Sequence, residues 1–413
     1  MLQPIRTLTL SLLAVCALAQ TPADRTRQAL DLLLARSDQA LYELFSPEMK
    51  KAVAFDAFSQ RFDQIMPTGK PVSIGEPTVR TLPDAALVAI SVHWPGASLR
   101  FKFSWTLDGK IQGLFFDLLP AGYVNPDQFT ERDVTIGDDR WKLPATLTLP
   151  KGNGPFPAVV LVHGSGPGDR DETDGGAKPF KDLAQGLATR GVAVLRYEKR
   201  TRQYPVPEAA PTMTAETVED ALRAAALLRT LPGISPQSIY VLGHSQGGYM
   251  MPRILQRDHR LAGAILLAAN ARPLQEITVE QIEYLLSLAG GGTPAQRIYL
   301  EDLKQDPWIA LSNLPQTYRA DLLLYNPAAQ ARTLDTPMLI LQGERDYQVT
   351  MKDFALWRAS LNVRKNATFR SYPNLNHLFI AGQGKSTPAE YERPAHVASE
   401  VIADIAAWIQ SPQ

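Results

Sequence analysis

Gly243-His244-Ser245-Gln246-Gly247 lies directly between an apolar run, Ile239-Tyr240-Val241-Leu242, and a helical pattern that begins near Gly248. A turn this tight from strand to helix admits only glycine two residues either side of the serine, because a β-carbon there meets backbone. It lifts the Ser245 hydroxyl above the C-terminal edge of a parallel sheet. It also sets the amide of Gln246 and the start of the helix dipole beside any carbonyl the hydroxyl attacks. A bare G-x-S-x-G arises by chance; its place between strand and helix gives it weight, against the plain reading of a glycine-rich turn with a bystander serine.

The surrounding chain has the matching grammar. Apolar runs at Ala158–Val162, Gly191–Leu195, Ser238–Leu242, Leu261–Ala268, Pro337–Leu341 and Thr368–Tyr372 alternate with helical patterns at Pro179–Arg190, Thr214–Leu231, Gly248–Arg257 and Ala395–Ile409. Strands that are apolar throughout belong to a parallel sheet covered on both faces, an α/β fold. Asp133–Ile136 and Lys142–Leu149 read as two leading strands. Between Arg272 and Arg332 the alternation lapses into helical, polar sequence, which reads as a cap inserted above the sheet. Upstream, Ala23 to about Ile65 is helical in pattern. Val72–Leu82, Ala86–Trp94, Ser98–Leu107 and Lys110–Leu118 then alternate as four strands, with Asp108-Gly109 as a hairpin signal. This predicts a small α+β domain over residues 20–122 and a catalytic domain over 123–413, the cap lying at about 272–332.

A serine hydroxyl needs a base within hydrogen-bond reach, and the base needs an orienting carboxylate. In a fold of this kind the order along the chain is serine, acid, histidine. Asp346 follows the C-terminal end of the Pro337–Leu341 strand and is the expected acid. Glu344 is the rival, and Asp335 precedes the strand and so lies at the wrong edge. Of the six histidines, only His377 and His396 follow Asp346. His396 falls in the closing helix, where a solvated face is expected, whereas His377 sits in the loop after the last strand and is the expected base. His163-Gly164-Ser165-Gly166 follows the first buried strand, so the backbone amide of Ser165 or Gly166 can turn inward beside that of Gln246, and Ser165 and Gln246 are the expected oxyanion donors. Asp169–Gly175 has some features of a calcium loop. Its third acid is out of register and the closing glutamate is missing, so a polar loop packed beside the oxyanion turn is the better reading. Gly384-Lys385-Ser386 has no upstream glycine for a phosphate loop. The chemistry requires no metal and no cofactor.

Composition bounds the partners. The formal net charge is zero over 413 residues, so nothing suggests electrostatic capture of nucleic acid or an anionic membrane, and a small-molecule substrate fits better. The first nineteen residues read as a secretory signal: Arg6 supplies the positive region, Thr7–Leu18 is apolar but too short to span a bilayer, and Ala17-Leu18-Ala19 is a small-x-small cleavage pattern. The only cysteine, Cys16, lies inside that segment, so the mature chain would carry no thiol. The expectation is an exported protein, periplasmic or extracellular, without stable membrane insertion after cleavage.

Several stretches are more specific than general hydrolase marks. His163–Thr173, Lys178–Ala184, Leu195-Arg196-Tyr197-Glu198-Lys199-Arg200-Thr201, Gly243–Gly248, Gln342–Val349 and Asn376-His377-Leu378 together resemble the EstD-type bacterial carboxylesterases. That resemblance implies a small N-terminal domain before an α/β-hydrolase domain, hydrolysis of short-acyl esters, and triad roles for Ser245, Asp346 and His377. A peptidase or an acyltransferase on the same triad is the alternative within the fold, and a binding protein on an inactive scaffold is the alternative outside catalysis. The N-terminal domain could gate substrate, form a contact in a homo-oligomer, or shield a face of the hydrolase; the residues do not choose.

Overall fold

The computed structural model describes residues 20–138, 140–204, 211–323 and 325–411. The expected signal over residues 1–19 lies outside the described residues. The chain divides into two compact units: one takes the chain up to Asp63 with Pro71–His93 and Leu99–Asp117, the other takes Gln64–Lys70, Trp94–Ser98 and Leu118–Gln413.

The first unit opens with helices at Pro22–Leu34, Asp38–Glu43, Pro47–Ala52 and Phe55–Ile65. Thr21 caps the first helix just before Pro22, in a capping box with Asp24, and Ser46 caps the third helix before Pro47, which is why the helical stretch is punctuated rather than continuous. Strands β1 (Ser73–Ile74), β2 (Thr78–Thr81), β3 (Ala85–His93), β4 (Ser98–Thr106) and β5 (Ile111–Leu118) make one sheet in the order β1-β3-β4-β5, with β2 also on β3. The run Val72–Leu82, expected as one strand, is split into β1 and β2 around Gly75-Glu76-Pro77, where proline has no amide to give the ladder. On β4, Leu99, Phe101, Phe103 and Trp105 alternate inward, and the buried Trp105 Nε1 donates to Thr26 Oγ1 at 2.8 Å.

The second unit holds strands β6 (Phe129–Gly137), β7 (Lys142–Pro150), β8 (Phe156–Val162), β9 (Ala193–Tyr197), β10 (Ile234–His244), β11 (Gly263–Leu267), β12 (Met338–Gly343) and β13 (Ala367–Tyr372) in the order β13-β12-β11-β10-β8-β9-β7-β6. The strands from β13 through β9 are parallel, and β7 and β6 add antiparallel at one edge. This is the α/β-hydrolase arrangement. The reason the strands read as apolar runs is visible in β8 and β10. Val160, Val162 and Val241 join one core with the helices Glu219–Thr230, Met251–Arg257 and Met351–Leu361. Val159, Leu161 and Leu242 join the opposite core with Pro179–Ala188 and Ser399–Gln410. Each such side chain contributes about 1.5–3 kcal/mol by leaving water. Between β11 and β12 the chain forms helices Leu274–Leu288, Pro294–Gln305, Gln316–Leu323 and Pro327–Ala331, with a single-turn 3-10 segment at Pro307–Leu311. The closing helix starts at Ser399, so His396 precedes it and is no solvated helix residue. Its Nδ1 meets Asp182 Oδ1 at 3.0 Å and its Nε2 meets the Leu119 carbonyl at 2.9 Å.

Candidate active site

Ser245 follows β10 and has φ 51° and ψ −117°, a conformation rare for a residue with a side chain. The strain is held by close packing of backbone. A β-carbon on Gly243 would stand 2.4 Å from the Gly247 carbonyl carbon, one on Gly247 2.2 Å from the Val162 oxygen, and one on Gly248 2.5 Å from the Ala269 β-carbon. The Ser245 amide donates to Leu267 O on β11 at 2.9 Å. The helix begins at Gln246, two residues earlier than the sequence pattern, and is interrupted at Met250, just ahead of Pro252.

Asp346 and His377 come from the loops after β12 and β13. His377 Nδ1 stands 2.7 Å from Asp346 Oδ2, and both side chains are buried. A carboxylate facing Nδ1 makes that nitrogen the donor and leaves Nε2 as the acceptor. Asp346 is itself held: its Oδ1 accepts from the amides of Gln348 at 2.7 Å and Val349 at 3.0 Å, and Gln342 Nε2 donates to Oδ2 at 3.1 Å. Asn376 Oδ1 accepts from the amides of Leu378 and Ile380 at 3.1 and 3.0 Å, which tightens the turn that carries His377. The rival Glu344 is exposed and accepts from Ser371 Oγ at 2.7 Å. Ser245 and His377 line one cavity of about 320 Å³, with Ser165 and Gly166 on its wall. They share no hydrogen bond among the described residues; contacts of this kind tighten when substrate arrives.

Behind the serine lies a buried polar chain. Glu172 Oε1 accepts from the Gly164 amide at 2.7 Å, and its Oε2 is 3.2 Å from His244 Nδ1. His244 Nε2 is 3.0 Å from the His377 carbonyl. The ring thus faces a carbonyl at Nε2 and a carboxylate at Nδ1, surroundings that favour the imidazolium. Burial alone would pull the imidazole below its ordinary pKa, but the Glu172 carboxylate beside it lifts it above. Burial pushes Glu172 up, and His244 then draws it below the usual carboxylate range. The Nδ1 contact is an ion pair rather than an aligned hydrogen bond, since neither atom has a hydrogen-bond partner among the described residues.

A second cavity, of about 560 Å³, opens on Ser245 and Gln246. Leu274, Ile277, Leu311 and Leu314, all from the segment between β11 and β12, give it an apolar wall. Tyr318 from the same segment accepts a hydrogen bond from Gln246 Nε2 at 3.2 Å.

The chain is 44% identical over 313 residues to Esterase EstD of Thermotoga maritima, covering 73% of this chain and 74% of that protein. It belongs to the EstD family of esterases. Within the family's α/β-hydrolase frame it is a serine hydrolase, and the model of the prolyl oligopeptidase family matches residues 209–403. Among solved structures it is similar to Est1E from Butyrivibrio proteoclasticus, with 19% identity, 67% of this chain and 98% of that one covered, and a TM-score of 0.46. It is also similar to a puromycin-hydrolyzing peptidase of Mycobacterium tuberculosis, with 20% identity, 78% and 46% covered, and a TM-score of 0.48.

In this EstD-family chain the sequence pointed to Ser245, Asp346, His377, Gln246 and Ser165, and the structure brings all five to the C-terminal edge of the sheet. It assigns no role to Glu172, Lys199 or Gln342, although all three lie in the stretches that carry the family resemblance, Lys199 just past the end of a buried strand.

Proposed function

We propose that the chain hydrolyses carboxylic esters with short acyl groups through a Ser245-His377-Asp346 triad. The observation that carries this reading is the 2.7 Å contact of His377 Nδ1 with Asp346 Oδ2, on an imidazole that lines one cavity with the strained Ser245. Ser245 Oγ attacks the ester carbonyl carbon while His377 Nε2 takes the hydroxyl proton. The carbonyl oxygen becomes an oxyanion and is met by the amides of Gln246 and Ser165. Gln246 is the first residue of its helix, where an amide has no intrahelical partner. The carbon–oxygen bond to the alcohol breaks as His377 returns the proton to it. Water, deprotonated by the same imidazole, then attacks the acyl-serine and releases the acid. Asp346 holds the tautomer and stabilises the imidazolium.

The cavity of about 560 Å³ supports an organic substrate up to the size that such pockets commonly hold, with its apolar part against Leu274 and Ile277. Short-acyl esters are the substrates implied by the sequence stretches shared with the family. A panel of p-nitrophenyl esters from acetate upward, run beside a peptide anilide and with added alcohols as acceptors, separates ester hydrolysis from peptidase and acyltransferase activity. Hydrolysis that falls with acyl length, with no anilide turnover and no alcohol transfer, is the expected outcome. Anilide turnover at a comparable rate overturns it.

We further propose that the mature chain is exported and begins after Ala19, on the pattern of residues 1–19. The intact mass of the protein from a periplasmic or culture fraction tests this directly.

A further inference from the structure

Both peptide groups that flank Gly164 are held by charges, one buried (Lys199) and one partly buried (Glu172). Its amide donates to Glu172 Oε1 at 2.7 Å, and Lys199 Nζ donates to its carbonyl at 2.7 Å. Lys199 is 2% exposed, and its ammonium also meets Glu216 Oε1 at 2.6 Å. The parts come from separate places: Gly164 and Glu172 lie in the chain after β8, Lys199 just after β9, and Glu216 in the single π-helical turn Thr214–Val218. A lysine is costly to bury unless it is paired. The bridge to Glu216 satisfies that demand. It leaves unexplained why the same ammonium is also spent on one glycine carbonyl beside the nucleophile.

The geometry of a peptide supplies the reason. A glycine lets the planes on either side of it turn more freely than any other residue does. The Gly164 carbonyl and the Ser165 amide belong to one planar trans peptide, in which C=O and N–H point in opposite directions. Lys199 on the oxygen therefore fixes the Ser165 N–H, and Glu172 fixes the plane before it. Charge-assisted hydrogen bonds of this kind are about twice as strong as neutral ones. The Ser165 N–H has no partner among the described residues, and Ser165 lines both cavities that Ser245 lines. A β-carbon on Gly164 would stand 3.3 Å from the Ser245 β-carbon, so the clamped glycine is packed directly on the serine.

We propose that Lys199 and Glu172 are positioning residues that clamp Gly164 and so preset the Ser165 amide as an oxyanion donor. The inference rests on reading Ser245 as nucleophile and the Ser165 amide as donor. Lys199 does not line either cavity that Ser245 lines and acts through Gly164.

The test pairs Lys199→Met with Glu216→Gln, so that no buried carboxylate is stranded. With p-nitrophenyl butyrate, kcat falls about 10- to 100-fold while KM stays within twofold, since loss of a whole donor costs about 10²- to 10³-fold. Affinity for an alkylboronic acid, which forms a tetrahedral adduct on the serine, falls by the same factor as kcat/KM. Ser165→Pro removes the amide proton altogether, and adding the Lys199 and Glu216 changes to it produces no further loss. A kcat within twofold of the parent, or losses that multiply in full on the Ser165→Pro background, overturns the inference. Glu172→Gln runs through the same cycle should the paired variant not fold, with a kcat loss of about 5- to 10-fold that likewise disappears on that background. Ser245→Ala separates the two levels. If it retains turnover, the nucleophile reading fails; if it is inactive while the cycle is additive, only the clamp fails.

Discussion

His377 Nδ1 and Asp346 Oδ2 stand 2.7 Å apart across 31 residues of chain, and the Asp346 oxygens also accept from two backbone amides and from Gln342. The carboxylate is thus fixed before it fixes the imidazole. Asp346→Asn preserves the shape and offers Nδ1 an amide in place of an acceptor, which favours the wrong tautomer. The expected loss in kcat is about 10³- to 10⁴-fold with an unchanged unfolding temperature. Steady-state kinetics beside a thermal melt check this; a loss below tenfold contradicts the assigned role.

The elbow makes a prediction about stability. Gly247→Ala places a β-carbon 2.2 Å from the Val162 oxygen, where backbone must move. We expect a loss of about 3 kcal/mol or more, together with loss of turnover. Gly122→Ala, whose β-carbon would meet nothing within 4 Å, is the control and should change stability by less than about 1 kcal/mol. Urea denaturation of the two variants checks the contrast.

The buried Glu172–His244 pair predicts a pH window. His244 is raised above its ordinary 6.5, so its stabilisation is full below that value and is lost as pH climbs through the higher folded pKa. Glu172 is lowered below its ordinary 4.5, so its share is full above that value and is lost as pH falls through the lower folded pKa. The difference in Tm between the parent and a Glu172→Gln, His244→Asn variant should therefore be greatest from about pH 4.5 to 6.5 and narrow on both sides. A difference that grows steadily toward alkaline pH contradicts the ion pair.

Tyr318 ties the segment between β11 and β12 to Gln246, the residue that follows Ser245. Tyr318→Phe leaves the buried Gln246 side-chain Nε2 without its acceptor, a loss of about 1 kcal/mol. A fall of about fivefold in kcat/KM for short-acyl esters is expected, with the fold intact. An unchanged kcat/KM would mean that holding the Gln246 side chain does not steady its backbone amide.

Legibility of the site tracked how local its physics is. The elbow is read from five adjacent residues because the clash that demands glycine is between near neighbours. The sheet is read from apolar runs because both faces of β8 and β10 are covered. Asp346 and His377 are read from chain order and strand ends. Glu172 and Lys199 reach Gly164, and Glu216 reaches Lys199, only after the sheet has closed, so the order of residues places Lys199 past a strand end and Glu172 in a polar loop but does not mark their pairing. His396 was misplaced for a related reason. The helical pattern extends past the true start at Ser399, and the pairing with Asp182 that holds His396 is a long-range contact. The break between β1 and β2 was in plain view at Pro77, but alternation on either side of it masked the missing amide.

The proposed chemistry requires Ser245 as the nucleophile, and labelling the folded chain with a fluorophosphonate, with the adduct mapped by peptide mass spectrometry, tests that requirement. One adduct per chain is expected, on Ser245, absent in Ser245→Ala and formed far more slowly in Asp346→Asn. An adduct on another residue, or labelling undiminished in Ser245→Ala, contradicts it.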